Sequence, residues 1–226
     1  MKKIIFIGFN KTATTSIHRT FCANKFNCVH RAGAWRFKNR YIKLKKVIER
    51  RDVISDWGDT HLSSNILQKI INDFDDVLFV LNTRKLKDWI KSRFKHYYFN
   101  KKWDFDDRLF SINDVTLENA KMFIYQREIF YANVAELFQN KSNLLVLDIY
   151  QNNFYERISD EIGIQIKSKN LKSNVRKDDI FLLDFQEKIE HIWTELEKKH
   201  EYNLKSVLSS TDEINKKLCK HKNNIV

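Results

Sequence analysis

The chain has 226 residues, 41 Lys+Arg against 29 Asp+Glu, a formal net charge of +12, 13% aromatic residues, four glycines and no proline. That length suits one domain that buries about 70% of its unfolded surface without covalent staples. Three cysteines (Cys22, Cys28, Cys219) exclude a disulfide scaffold, no CxxC or Cys/His spacing marks a zinc site, and no apolar stretch reaches the roughly 18 to 20 residues that span a bilayer.

The opening MKKIIFIGFNK imitates a secretory leader, but its apolar run stops at Phe9, short of a signal core and its cleavage site. It reads as a buried first strand, and the expected compartment is the reducing cytoplasm. Four further apolar runs have the same character: Phe26–His30, Asp52–Asp56, Val77–Asn82 and Asn143–Ile149. They are continuous rather than alternating, as parallel strands covered on both faces require. Helical periodicity follows the first four, at Thr14–Asn24, Trp35–Arg50, His61–Phe74 and Lys85–Tyr97. Alternation of strand and helix predicts an α/β fold around a central, mostly parallel sheet of about five strands.

Before the last strand the chain is longer than one crossover. Residues 97–114 are aromatic and charged without periodicity, and Leu117–Gln139 then repeats apolar residues at helical spacing. Phe154–Ile162 is a short helix closed by Gly163 as its C′ residue. From Asp179 to His200 the residues Leu182, Phe185, Ile189, Ile192, Trp193 and Leu196 form one apolar stripe, and Ser210–Glu213 has capping-box spacing for a last helix. The expected organisation is one domain over 1–226, with an α/β core over 1–166 and a helical region over 167–226. The terminal stripe has two possible partners, its own domain or a second copy of the chain.

The chemistry concentrates at the first strand-to-helix turn, Gly8-Phe9-Asn10-Lys11-Thr12-Ala13-Thr14-Thr15-Ser16. A small-residue loop entering a helix presents unpaired N–H groups and the positive end of the helix dipole, and here one lysine and four hydroxyls join them. The composition is that of an oxyanion cradle. A Walker A loop needs a second glycine immediately before its lysine, which this sequence lacks. A second feature follows the strand VLFVLN: Arg84 ends it, and Ser92 stands eight residues on within a helix. Arginine suits phosphate because its planar fork donates two hydrogen bonds to one anion.

KTATTS resembles the 5′-phosphosulfate loop of the P-loop-fold sulfotransferases, bacterial-type members included, with Ala13 in place of the commoner glycine. Arg84 and Ser92 match the pair with which that family reads the 3′-phosphate of its co-substrate. ISDW, the segment YQREIFYANVAELFQNKSNLLVLDIY and FYERISDEIGI resemble further parts of the family, so the likeness extends over about residues 3–166. It implies transfer of a sulfuryl group from 3′-phosphoadenosine 5′-phosphosulfate (PAPS, leaving PAP) to a hydroxyl or amine, without a metal. Lys11 would stabilise charge on the departing oxygen. Thr12, Ala13, Thr14, Thr15 and Ser16 would hold the 5′-phosphate, and Arg84 with Ser92 the 3′-phosphate.

A hydroxyl acceptor must lose its proton, so a base is expected nearby. His30 ends the second strand, where several members keep a Glu; Asp56 ends the third strand and His61 begins the next helix. Tyr97, Tyr98, Trp103 and Arg108 in the insertion, with Arg31, Trp35 and Arg36, are candidates for acceptor contacts. Family analogy favours a carbohydrate. Two other classes share some of these features. A P-loop kinase or NTPase would use Thr12 or Thr15 with Asp56 or Asp148 around magnesium. A basic nucleic-acid-binding protein would explain the charge, but the basic residues spread through nearly every helix instead of one face, so no nucleic-acid partner is expected.

Overall fold

The computed structural model describes residues 2–9, 11–30, 40–56, 64–99, 115–167 and 181–198. The chain divides into two compact units, with boundaries after Arg84 and after Ala132 among the described residues.

The first unit holds the sheet: β1 (Lys3–Phe6), β2 (Cys28–His30), β3 (Val53–Ser55), β4 (Val77–Thr83) and β5 (Leu144–Asp148). All four pairings are parallel and the order is β2-β3-β1-β4-β5. This is the predicted α/β class with a parallel sheet. The apolar runs are continuous because the inner strands are covered: every residue of β4 is buried, whereas the edge strand β2 is half-buried throughout. The helices of this unit are α1 (Thr14–Ala23), α2 (Arg40–Arg50), α3 (Ser64–Asp73) and α6 (Phe154–Ile162).

On one face, Ile4 and Phe6 of β1, Leu78 and Val80 of β4 and Leu145 and Leu147 of β5 pack with Ile17 and Phe21 of α1 and Phe154 and Ile158 of α6. Phe21 is fully buried and meets Phe6, Phe26 and Tyr155 edge-on at 5.4, 5.2 and 6.2 Å. Burying such a ring contributes about 1.5–3 kcal/mol. Gly163 ends α6 at φ 69°, its N–H donating to the Ser159 carbonyl at 2.8 Å, as the sequence predicts.

The strand order places the loop between β1 and α1. Connections leave β1 toward β2 and leave β4 toward β5, so these neighbours diverge at their carboxyl ends, the usual place for a ligand crevice in open α/β sheets. The ladder persists to Ile7, whose N–H donates to the Val80 carbonyl at 2.9 Å. At Gly8 the N–H donates instead to the side chain of Asn82, and the strand stops two residues before its predicted end.

The second unit contains α4 (Leu86–Phe99), the larger part of α5 (Leu117–Leu137) and α7 (Phe181–Lys198). Arg93 of α4 and Arg127 of α5 are both 3% exposed. Arg93 lies 5.0 Å from the Phe123 ring centroid, and Arg127 lies 4.9 Å from that of Tyr131. Phe185, Ile189, Ile192 and Leu196 of α7 are buried, and Lys87 of α4 pairs with Glu190 at 2.6 Å. Of the two partners expected for the terminal apolar stripe, its own chain covers these four residues. The predicted last helix at 210 lies outside the described residues. No described helix is long and apolar enough to cross a membrane.

Candidate functional site

The loop between β1 and α1 is wound by two non-glycine residues in the left-handed region, Lys11 at φ 68° and Ala13 at φ 61°. Ala13 occupies the N-cap of α1, with no side-chain cap and no acidic residue in the first turn. A helix start of this kind leaves its first N–H groups to whatever anion approaches, and the dipole favours negative charge there. The unusual backbone also explains the residue choice: small Ala13 tolerates a conformation that glycine adopts at no cost.

Two residues of β4 and its exit hold the loop from beside it. Asn82, fully buried, accepts from the Gly8 N–H at 3.0 Å and donates through Nδ2 to the Thr12 carbonyl and hydroxyl, both at 2.7 Å. Thr12 is 1% exposed; its hydroxyl donates to the Phe9 carbonyl, and its N–H reaches the same oxygen at 3.3 Å. Both donors of Thr12 are thus taken up inside the loop. A Cβ on Gly8 would stand 2.1 Å from the Asn82 carbonyl oxygen and 2.4 Å from its Oδ1, so only glycine fits against this strut. Arg84 donates from Nη1 to the Lys11 carbonyl at 3.1 Å and from Nε to the Tyr150 hydroxyl at 3.1 Å, its guanidinium 5.7 Å from the Tyr150 ring centroid. The guanidinium is thereby fixed beside the loop.

The pairing of β2 with β3 brings a second group to the same place. His30 is in register with Ser55, and Asp56 follows at φ 65°, a left-handed position that Asp tolerates. His30 Nδ1 lies 3.0 Å from Ser55 Oγ, while Nε2 lies 3.4 Å from Thr15 Oγ1 and 3.7 Å from Asp56 Oδ2. The Thr14 hydroxyl donates to Asp56 Oδ1 at 3.3 Å. A hydroxyl–carboxylate–imidazole–hydroxyl chain, Thr14–Asp56–His30–Thr15, therefore borders the first turn of α1. His30 and Asp56 side chains are 20% and 16% exposed, accessible yet largely out of water.

The structure thus brings together Lys11, Thr12, Ala13, Thr14, Thr15, His30, Asp56 and Arg84. Ser16 follows in the first turn of α1 and is half-buried. Ser92 is half-buried on α4 of the second unit. His61, Arg31, Trp35, Arg36, Trp103 and Arg108 lie outside the described residues, as do the side chains of Tyr97 and Tyr98. Asp148 accepts from the Tyr150 N–H at 2.8 Å, closing the turn after β5.

Sequence reasoning missed Asn82, Ser55 and Tyr150. Asn82 was readable as the one polar residue before Thr83 in an otherwise apolar inner strand, a position where a buried amide needs partners. A juxtaposition of Cys and His side chains carries no metal-ligand spacing in the sequence. Donor atoms of His18, Cys22 and Cys28 all lie within 4.8 Å of one another. His18 and Cys22 are four apart on α1, but Cys28 joins them only through the turn into β2. Away from the loop, a surface depression of about 610 Å³ beside α6, lined by Tyr155, Ser159 and Ile166 among others, contains none of the predicted site residues.

No protein-family model matches the sequence, and no curated protein is significantly similar to it. Among solved structures, the chain is similar to the crystal structure of a sulfotransferase from Alicyclobacillus acidocaldarius, at 10% identity and a TM-score of 0.49, over 87% of this chain and 96% of that one.

Proposed function

We propose that this chain is a PAPS-dependent sulfotransferase that moves a sulfuryl group to a hydroxyl or amine, with a carbohydrate as the acceptor class by family analogy. The observation that carries the proposal is the loop from Lys11 to Ser16. It has the family's sequence pattern, passes through the left-handed region where that pattern commonly has glycine, and opens an uncapped helix with Arg84 fixed alongside. These features suit a dianionic group, and the helix's own first turn carries no acidic residue.

When bound, PAPS supplies an activated sulfuryl group for in-line displacement, chemistry that rests on position and charge stabilisation as phosphoryl transfer does. Lys11 supplies the cation at the departing oxygen. The first N–H groups of α1 and the hydroxyls of Thr15 and Ser16 bind the 5′-phosphate. Thr12 supports the loop from inside, and the Thr14 hydroxyl is shared with Asp56. Arg84 and Ser92 bind the 3′-phosphate. His30, oriented by the Ser55 hydroxyl and the Asp56 carboxylate, takes the acceptor proton, a role in which the carboxylate stabilises the imidazolium that forms.

The Thr14–Asp56 contact also favours a second reading, a kinase in which a loop hydroxyl and a strand-end carboxylate hold magnesium. Thermal stability separates the two. A ligand at 100 times its dissociation constant adds about 2.7 kcal/mol. Adenosine 3′,5′-bisphosphate is expected to raise the melting temperature of the wild type and to raise that of Arg84→Ala clearly less at the same concentration. A rise with ADP and Mg²⁺ alone would replace the sulfotransferase by the kinase.

A further inference from the structure

One turn along α1 from the anion loop, the helix presents a different chemistry. We propose that His18, Cys22 and Cys28 bind a zinc ion, with the fourth coordination position open to solvent. His18 and Cys22 lie four residues apart on α1, so both project from one face. Cys28 is the first residue of β2, delivered by a turn with little freedom. The Asn24 N–H donates to the Thr20 and Phe21 carbonyls and the Lys25 N–H to that of Cys22, Lys25 is left-handed at φ 67°, and the Asn24 side chain exchanges two 3.0 Å hydrogen bonds with the Lys167 backbone.

The three donor atoms lie within 4.8 Å of one another. A tetrahedral zinc, with bonds of about 2.3 Å to sulfur and about 2.0–2.1 Å to nitrogen, separates those two donors by about 3.5 Å. His18 Nε2 stands 3.5 Å from Cys22 Sγ. One imidazole and two thiols select a borderline-soft cation over magnesium or calcium, which take oxygen ligands. On binding, the two thiol protons pass to solvent, and two thiolates balance the charge of Zn²⁺. Cys22 is exposed, so the ion can enter and the fourth ligand is water or a small donor from solution. Among the described residues, the charged groups that act on the cluster are Arg19 at His18, and Arg51 and Asp52 at Cys28.

The site would tie α1, which begins at the anion loop, to β2, which carries His30. The His18 ring already lies tilted against that of His30, with centroids 5.3 Å apart and planes 32° from parallel. Zinc on Nε2 would fix that ring, and with it one wall against the candidate base.

Cobalt(II) titration of the reduced full-length chain tests this. One equivalent is expected to give a thiolate-to-cobalt charge-transfer band with tetrahedral visible bands, bleached by equimolar zinc. The signal should survive Cys219→Ser, weaken in His18→Gln and disappear in Cys22→Ser. Cys22 is exposed, so Cys22→Ser should keep the wild-type circular dichroism while losing the rise in melting temperature that zinc gives the parent. The proposal is overturned if the reduced chain shows no charge-transfer band, if Cys22→Ser retains it, or if Cys219→Ser abolishes it.

Discussion

Replacing Asn82 by aspartate changes one NH₂ group to an oxygen at the point where β4 holds the β1–α1 loop. The Oδ1 that accepts the Gly8 N–H is kept. Lost are both Nδ2 donations to Thr12, and an oxygen is left 2.7 Å from a carbonyl that it repels. A lost hydrogen bond costs about 1 kcal/mol and a buried carbonyl without a donor about 1–3 kcal/mol more. With Asn82 fully buried, the ionised carboxylate adds a desolvation cost, so Asn82→Asp should lose about 3 kcal/mol or more at neutral pH. Burial and the facing carbonyl raise the new carboxyl's folded-state pKa above its unfolded value of about 3.9. Its destabilisation is therefore smallest below that unfolded value, where protonation restores a donor, and grows as pH rises through the folded-state pKa. Urea unfolding of both proteins across this range measures the gap, and adenosine 3′,5′-bisphosphate titration reads whether the loop still binds. A variant within about 0.5 kcal/mol of wild type at neutral pH, with unchanged nucleotide affinity, would refute the strut.

The remaining predictions concern the loop backbone, the packing behind it and the base. Ala13→Gly relieves a left-handed alanine at about 1–2 kcal/mol and returns part of that as unfolded-chain entropy, so a net gain of about 0.5–1 kcal/mol is expected by urea unfolding; a loss would contradict the φ of 61°. Tyr155 donates to Thr20 Oγ1 at 3.1 Å, and burial raises its pKa above the ordinary tyrosine value. Its contribution is complete below the unfolded pKa of about 10 and is lost as pH rises toward the higher folded value, so Tyr155→Phe should cost about 1 kcal/mol and flatten the alkaline limb. Superimposable alkaline limbs would show that Tyr155 does not titrate in that range. His30→Gln should leave adenosine 3′,5′-bisphosphate binding within about threefold of wild type and lower turnover by roughly 10²-fold or more once an acceptor is identified; equal turnover would remove His30 as the base.

The strands were legible because a covered parallel sheet leaves uninterrupted apolar runs, and VLFVLN and LLVLDI are too short for a buried helix. Their ends were not, since β1 stops where Gly8 exchanges a ladder partner for the Asn82 side chain, a contact 74 residues away in sequence. KTATTS marked out the β1–α1 loop by composition, and Arg84 stood out by its place after an apolar strand. The left-handed turns at Lys11, Ala13 and Asp56 leave no signature in non-glycine residues. The union of His30 with Asp56 depends on the β2–β3 register, which places His30 opposite Ser55. Likewise, His18 and Cys22 carry helical spacing that can be read directly, while Cys28 reaches them through the geometry of one turn.

In the proposed function the loop and Arg84 read a nucleotide carrying a 3′-phosphate. Calorimetric titration of wild type and Arg84→Ala with adenosine 3′,5′-bisphosphate and with 5′-AMP isolates that phosphate. A charge-assisted contact of about 1.5–3 kcal/mol predicts that the wild type binds the bisphosphate roughly 10- to 150-fold tighter than 5′-AMP, and that Arg84→Ala loses most of this preference while still binding 5′-AMP. Equal affinities for the two nucleotides in the wild type would contradict the account.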